Sequence, residues 1–190
     1  MFTHTHLQMA RVIGSVISRK YPDMLDYRSF NYGNIIPDYD PRLISIPHYK
    51  EKSFERITAM IEKAGTINAK QCFSYEIGII NHYICDYFCQ AHNYSEYDNY
   101  VRHLVYEKKL SNEISRVNLQ KYCPANINGK HFHGMESLIH LTDFINNRHI
   151  QYKNEKRKML TDVAFCMEVT TTAIAIIINY SQYNEFARVA

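Results

Sequence analysis

Residues 74–92 read SYEIGIINHYICDYFCQAH. Ile77, Ile80, Tyr83, Ile84, Tyr87 and Phe88 recur at helical spacing and cover so much of the circumference that the helix has to be largely buried. His82 and Asp86 stand four residues apart inside it, on one face, so both can close on a single ion. A carboxylate buried without a partner costs several kcal/mol, so Asp86 calls for a cation or a metal beside it. This stretch therefore argues for an all-α architecture with a metal centre inside it.

Working outward, His92 follows directly, and a second i, i+4 pair, His103/Glu107, lies in RHLVYE (102–107). His6 in THTHLQMA (3–10), Asp38 in GNIIPDYDP (33–41) and His48 in IPHYKE (46–51) complete a set drawn from five segments. Nitrogen and oxygen donors without a thiolate suit zinc or a similar borderline metal. More donors than one tetrahedral ion takes imply two or three ions, and clustered divalent ions serve phosphate-ester hydrolysis. Each fragment also has a plainer reading. A single His-x-x-x-Asp or His-x-x-x-Glu on a helix is common by chance, Asp38 can cap a turn after Pro37, and His48 can be an ordinary loop residue. Cys85 and Cys89 are rotated about 60° from the His82/Asp86 face and read as small buried hydrophobes. Gly78, one turn before His82, either opens room beside the site or serves packing. His131 and His133, with Glu136, read as a solvated loop before a further metal site, and His140 and His149 as surface or core histidines.

Hydrophobic residues make up 46% of the 190 and charged ones 22%, an ordinary balance for one domain over 1–190. The motifs fall within 1–120, and 121–190 reads as helices completing the bundle. Helices are expected near 5–20 (capped by Thr5), Tyr49–Lys63 (stopped by Gly65), Asn68–Gln90, Ser95–Leu119, Met135–Asn147 and Asn154–Phe186, a compact bundle of six or seven. Residues 30–48 hold Gly33, Pro37, Pro41 and Pro47 and read as a loop. The run KNEKRK (153–158) reads as a solvated helix start. A net charge of +3 is too small to argue for nucleic acid. Five cysteines without framework spacing, and no secretory signal pattern, lead to an expected cytoplasmic setting with free thiols. The longest apolar run, AIAIIINY (173–180), is too short to span a bilayer and reads as a core helix, so no transmembrane segment is expected.

Taken as a set, G-N-x-x-P-D, then P-H-Y-K, then G-x-x-x-H-Y-x-x-D-x-x-x-x-x-H, then H-L-V-Y-E resembles the bacterial zinc-dependent phospholipase C family over roughly residues 1–120. The resemblance implies an all-α fold, shared with fungal single-strand nucleases, and three zinc ions in a cleft. It also implies hydrolysis of a phospholipid phosphodiester to diacylglycerol and a phosphorylated headgroup. By position, Asp38, His48, His82 and Asp86 would hold the first zinc, and His92, His103 and Glu107 the second. Asp86 would bridge to a third zinc with His6. Asp38 would assist as the catalytic base. Secreted members begin with a tryptophan whose backbone amine and carbonyl ligate the third zinc. This chain has no tryptophan, which leaves His4 as a further candidate donor. The expected substrate is a phospholipid or a soluble phosphodiester, with peripheral membrane contact. Cleavage of single-stranded nucleic acid ranks second, since tyrosines are plentiful but no basic stripe accompanies them. A non-catalytic di-iron bundle is the remaining alternative; it would not need the loop donors Asp38 and His48.

Overall fold

The computed structural model describes the backbone of residues 1–127 and 136–189, with side chains as far as 184. His131 and His133 lie outside the described residues. Eight α-helices and no strand are present among the described residues: α1 (Thr3–Lys20), α2 (Tyr27–Gly33), α3 (Pro41–Ile44), α4 (Lys50–Ala64), α5 (Lys70–Tyr87), α6 (Tyr100–Arg116), α7 (Glu136–Asn154) and α8 (Met159–Val189). The architecture is all-α. α5 is its axis, packed against α1, α2, α4 and α8.

The 30–48 stretch is more ordered than a loop. Asp26 caps α2 by accepting from the Ser29 amide at 2.8 Å, and Asp40 caps α3 by accepting from the Arg42 amide at 2.8 Å. Pro37 sits in a 3-10 turn over Ile36–Asp38, and Pro41 opens α3. In such early helical positions the missing N–H of proline is harmless. The breakers punctuate short helical turns instead of forbidding them.

Other boundaries shift for local reasons. α1 starts two residues before Thr5, whose side chain is buried rather than capping. α6 starts at Tyr100, because Asn99 accepts from the Val101 and Arg102 amides; Ser95–Tyr97 forms a separate 3-10 turn. α7 runs through to Asn154, so KNEKRK forms its end and the corner before α8, not a helix start. There Lys153 donates to the Asn93 carbonyl at 2.7 Å, and Arg157 stacks on Tyr94 at 3.6 Å. Gly65 does follow α4, but at φ −62°, outside the left-handed region. A Cβ there would stand 2.1 Å from the Tyr180 ring, so Gly65 makes room for α8.

α8 is longer than its apolar run. Over Met159–Asn184 it is long and apolar enough to cross a membrane, yet 72% of its most apolar stretch is buried inside the protein. It packs against α1, α4, α5, α6 and α7 as a core helix.

The feature that matters most for function is the crossing of α2 and α5. A Cβ on Gly33 would lie 2.2 Å from the Tyr75 carbonyl, and one on Gly78 would lie 2.3 Å from the Phe30 carbonyl. Only two glycines let the backbones meet this closely. Gly78 therefore serves packing, and the packing sets the site: it brings Asn34, the residue after Gly33, against His82.

Candidate metal centre

His82 and Asp86 project from α5 with no exposed surface. His82 Nδ1 lies 2.9 Å from the Asn34 carbonyl. A carbonyl only accepts, so Nδ1 carries the proton and Nε2 faces the cluster. The Asn34 amide is held in turn, its Oδ1 accepting from Asn81 at 2.6 Å and its Nδ2 donating to the Phe30 carbonyl at 2.9 Å. His82 Nε2 lies 3.4 Å from Asp86 Oδ2, 3.4 Å from His48 Nδ1 and 3.6 Å from Asp38 Oδ1.

Asp86 is the junction. Its Oδ2 is 2.7 Å from His48 Nδ1, which enters from the turn before α4. Its Oδ1 is 3.2 Å from His6 Nε2 and 3.5 Å from His92 Nε2. His6 comes from α1 and stacks on the His82 ring at 3.9 Å between centroids. On the far side, His92 Nε2 is 3.6 Å from Glu107 Oε1, and His103 Nε2 is 2.9 Å from the same oxygen.

Four groups have donor atoms within 4.8 Å of one another: His6/His82/Asp86, Asp38/His48/His82, His48/Asp86/His92 and His92/His103/Glu107. Together they contain all eight residues singled out in the sequence. His4 is placed elsewhere: it is exposed, its Nε2 lies 2.6 Å from Ser111 Oγ, and it belongs to none of the four groups. His140 is exposed on α7. His149 is a core histidine, with Nε2 2.8 Å from Asn93 Oδ1.

The nitrogen that the sequence reading missed is the α-amino group of Met1. It lies 2.7 Å from Asp86, 3.1 Å from Glu107 and 3.2 Å from His92 Nε2, and it is buried.

The charges are consistent with a cation-binding centre. Burial alone would raise Asp86, but the Met1 ammonium, His92 and His6 hold it well below the carboxylate range. Glu107 is held below its ordinary value in the same way, by His103 and His92 against burial. Burial pushes His82 well down and His92 down to about 4, so both are neutral imidazoles. His6 is also opposed by burial, but the charge of Asp86 outweighs it and lifts the ring to about 9.

A metal fits these residues on a direct observation. Among the described residues, His6 Nε2 is buried and faces Asp86 Oδ1 at 3.2 Å without a well-aligned hydrogen bond. Native structures rarely leave such atoms orphaned, and an ion is one of the accepted explanations. The donor set is imidazole and carboxylate, as zinc prefers. Cys85 and Cys89 belong to none of the four groups.

The cluster opens on a cleft of about 510 Å³, with Asp38, His48, His103 and Glu107 on its walls and Phe2, Tyr39, Tyr100 and Leu104 around them. Tyr39 and Tyr100 are well exposed. Asp38 is half-buried there; its Oδ2 accepts from Thr3 Oγ1 at 2.9 Å.

Residues 5–159 match the family model described as zinc dependent phospholipase C. No curated protein and no solved structure matches the chain.

Proposed function

The chain belongs to the zinc-dependent phospholipase C family, and from that premise we propose that it hydrolyses phospholipid phosphodiesters, releasing diacylglycerol and the phosphorylated headgroup. Family membership and the His/Asp clusters support a zinc hydrolase. The observation that carries the finer reading is the convergence of eight candidate donors from separate segments, with Asp86 shared between groups, and with Asp38, His48, His92, His103 and Glu107 lining one open cleft. A structural zinc site closes with four ligands and needs neither the overlap nor the opening.

Asp38, His48 and His82 would hold one ion, His92, His103 and Glu107 a second, and His6 with Asp86 a third. Bound zinc supplies a water acidified to a pKa of about 7 and Lewis-acid stabilisation of the phosphoryl oxygens. The protein's own part is to orient and to move a proton. The Asn34 carbonyl fixes the tautomer of His82, and Asp86 spaces the imidazoles around it. Asp38 faces the cleft and keeps Oδ1 turned inward while Thr3 holds Oδ2. It is placed to take the proton lost by the attacking water, a general-base role. Exposed Tyr39 and Tyr100 at the mouth suit peripheral contact with a lipid surface, where amphipathic rings settle at headgroup level.

The test is the metal content of protein purified without added metal or a metal-binding tag, followed by phosphate-ester release from phosphatidylcholine vesicles and from a soluble phosphodiester. Two or three zinc equivalents with release from vesicles is the expected result. Iron in place of zinc would turn the reading toward the di-iron alternative, and absence of metal would end it.

A further inference from the structure

A second buried carboxylate lies behind the cluster, and the proposed chemistry does not use it. Asp162, in the first turn of α8, is fully buried and lies just past the matched residues. It accepts four hydrogen bonds. The Gln90 amide (2.9 Å) and the Tyr106 hydroxyl (2.8 Å) donate to Oδ2; Gln90 Nε2 (3.1 Å) and the Tyr152 hydroxyl (2.9 Å) donate to Oδ1.

The donors are not scattered. Gln90 opens the 3-10 turn that carries His92. Tyr106 directly precedes Glu107 and lies three residues after His103 on α6. Tyr152 comes from α7, which carries none of the eight donors. One carboxylate thus ties the turn bearing His92 to the helix bearing His103 and Glu107. At the cluster the two elements face each other through His92, whose Nε2 stands 3.6 Å from Glu107 Oε1. Packing alone would not call for this residue: burial lifts Asp162 to about 6 in spite of its four donors, and an apolar side chain would avoid that desolvation. What a carboxylate adds is direction, since each oxygen fixes two donors at set angles.

We propose that Asp162 is a positioning residue for the His92/His103/Glu107 group, holding the His92 turn in register with α6 so that the three donors converge on one ion. The proposal rests on the reading that this group binds metal.

The experiment is a zinc competition titration of the full chain against a chromophoric chelator. It compares wild type with Asp162→Asn, Tyr106→Phe, Tyr152→Phe, His103→Ala and the double variant His103→Ala/Asp162→Asn. In Asp162→Asn, one zinc equivalent should be released about 10- to 100-fold more readily, as for loss of a residue supporting a metal ligand, while the others stay at wild-type affinity. Tyr106→Phe removes one hydroxyl from a folded core and should shift the same equivalent by a smaller factor, which keeps the test decisive if Asp162→Asn does not fold. Tyr152→Phe should lower thermal stability and leave the titration unchanged. The double variant should hold its remaining zinc as His103→Ala does. Equal weakening of every equivalent, or equal effects of Tyr106→Phe and Tyr152→Phe, would reduce Asp162 to a general stabiliser and overturn the proposal. Wild-type protein without zinc, or His103→Ala with its full zinc content, would instead remove the metal reading on which it stands, a different result from zinc lost by His103→Ala but bound normally by Asp162→Asn and Tyr106→Phe, which would overturn the proposal alone.

Discussion

α5 and α6 each carry a histidine and a carboxylate four residues apart, but the two pairs live in different surroundings. On α5, His82 and Asp86 have no exposed surface, and most of the helix around them is buried. On α6, the side chains of His103 and Glu107 are 21% and 7% exposed, and only Tyr106, Glu107, Leu110 and Ile114 are buried along the helix. In the dry pair, desolvation demands partners, and they arrive from every side: His6, His48, His92 and the Met1 amine. In the wetter pair only Glu107 is buried, and its partners are fewer: His103 on its own helix, His92 and the Met1 amine. Its convergence with His92 comes from elsewhere in the fold. The same motif is thus dictated by its own helix in one case and by distant tethers in the other.

Asp86→Asn strikes the dry pair at its junction and should have the largest effect. It should lose at least one zinc and all measurable hydrolysis while circular dichroism keeps most of the helix signal. Full metal occupancy with normal turnover would break the comparison outright. Gly78→Ala tests whether the dry pair depends on the α2–α5 crossing. A methyl group 2.3 Å from the Phe30 carbonyl forces the backbones apart. The variant should lose about 3 kcal/mol in urea denaturation, together with zinc affinity at His82; an unaffected midpoint would mean that the helices part freely.

His103→Ala sharpens the contrast from the wet side. It should release one zinc equivalent and slow hydrolysis at least about 100-fold, the upper end for loss of a supporting residue, yet leave the denaturation midpoint close to wild type. If its midpoint fell as far as that of Gly78→Ala, the two pairs would not differ as argued. His140→Ala, exposed on α7 and outside all four groups, should change neither metal content nor rate. A large loss there would put the site in the wrong place.

Periodicity carried far because it follows from burial. The apolar wheel of 74–92 reads as a core helix without knowledge of its neighbours, and α5 is one. In the stretch 30–48, Gly and Pro punctuate short helical turns, so their density does not by itself mark a loop. Asp26 and Asp40, the residues that start helical turns there, are visible in the sequence as caps. The contacts of KNEKRK were not legible, since Lys153 and Arg157 meet Asn93 and Tyr94 about 60 residues away.

By itself the sequence determined the helical class and singled out the candidate donors, because hydrophobic spacing and ligand chemistry are local properties of the chain. Tertiary structure alone decided which candidate donors share an oxygen of Asp86, that the Met1 ammonium lies beside them while His4 lies against Ser111, and that Asp162 ties two of their elements together. Those facts depend on which surfaces meet, and that is settled by long-range packing: two glycines at a crossing, a tyrosine over Gly65, and a carboxylate with four donors from three separate elements.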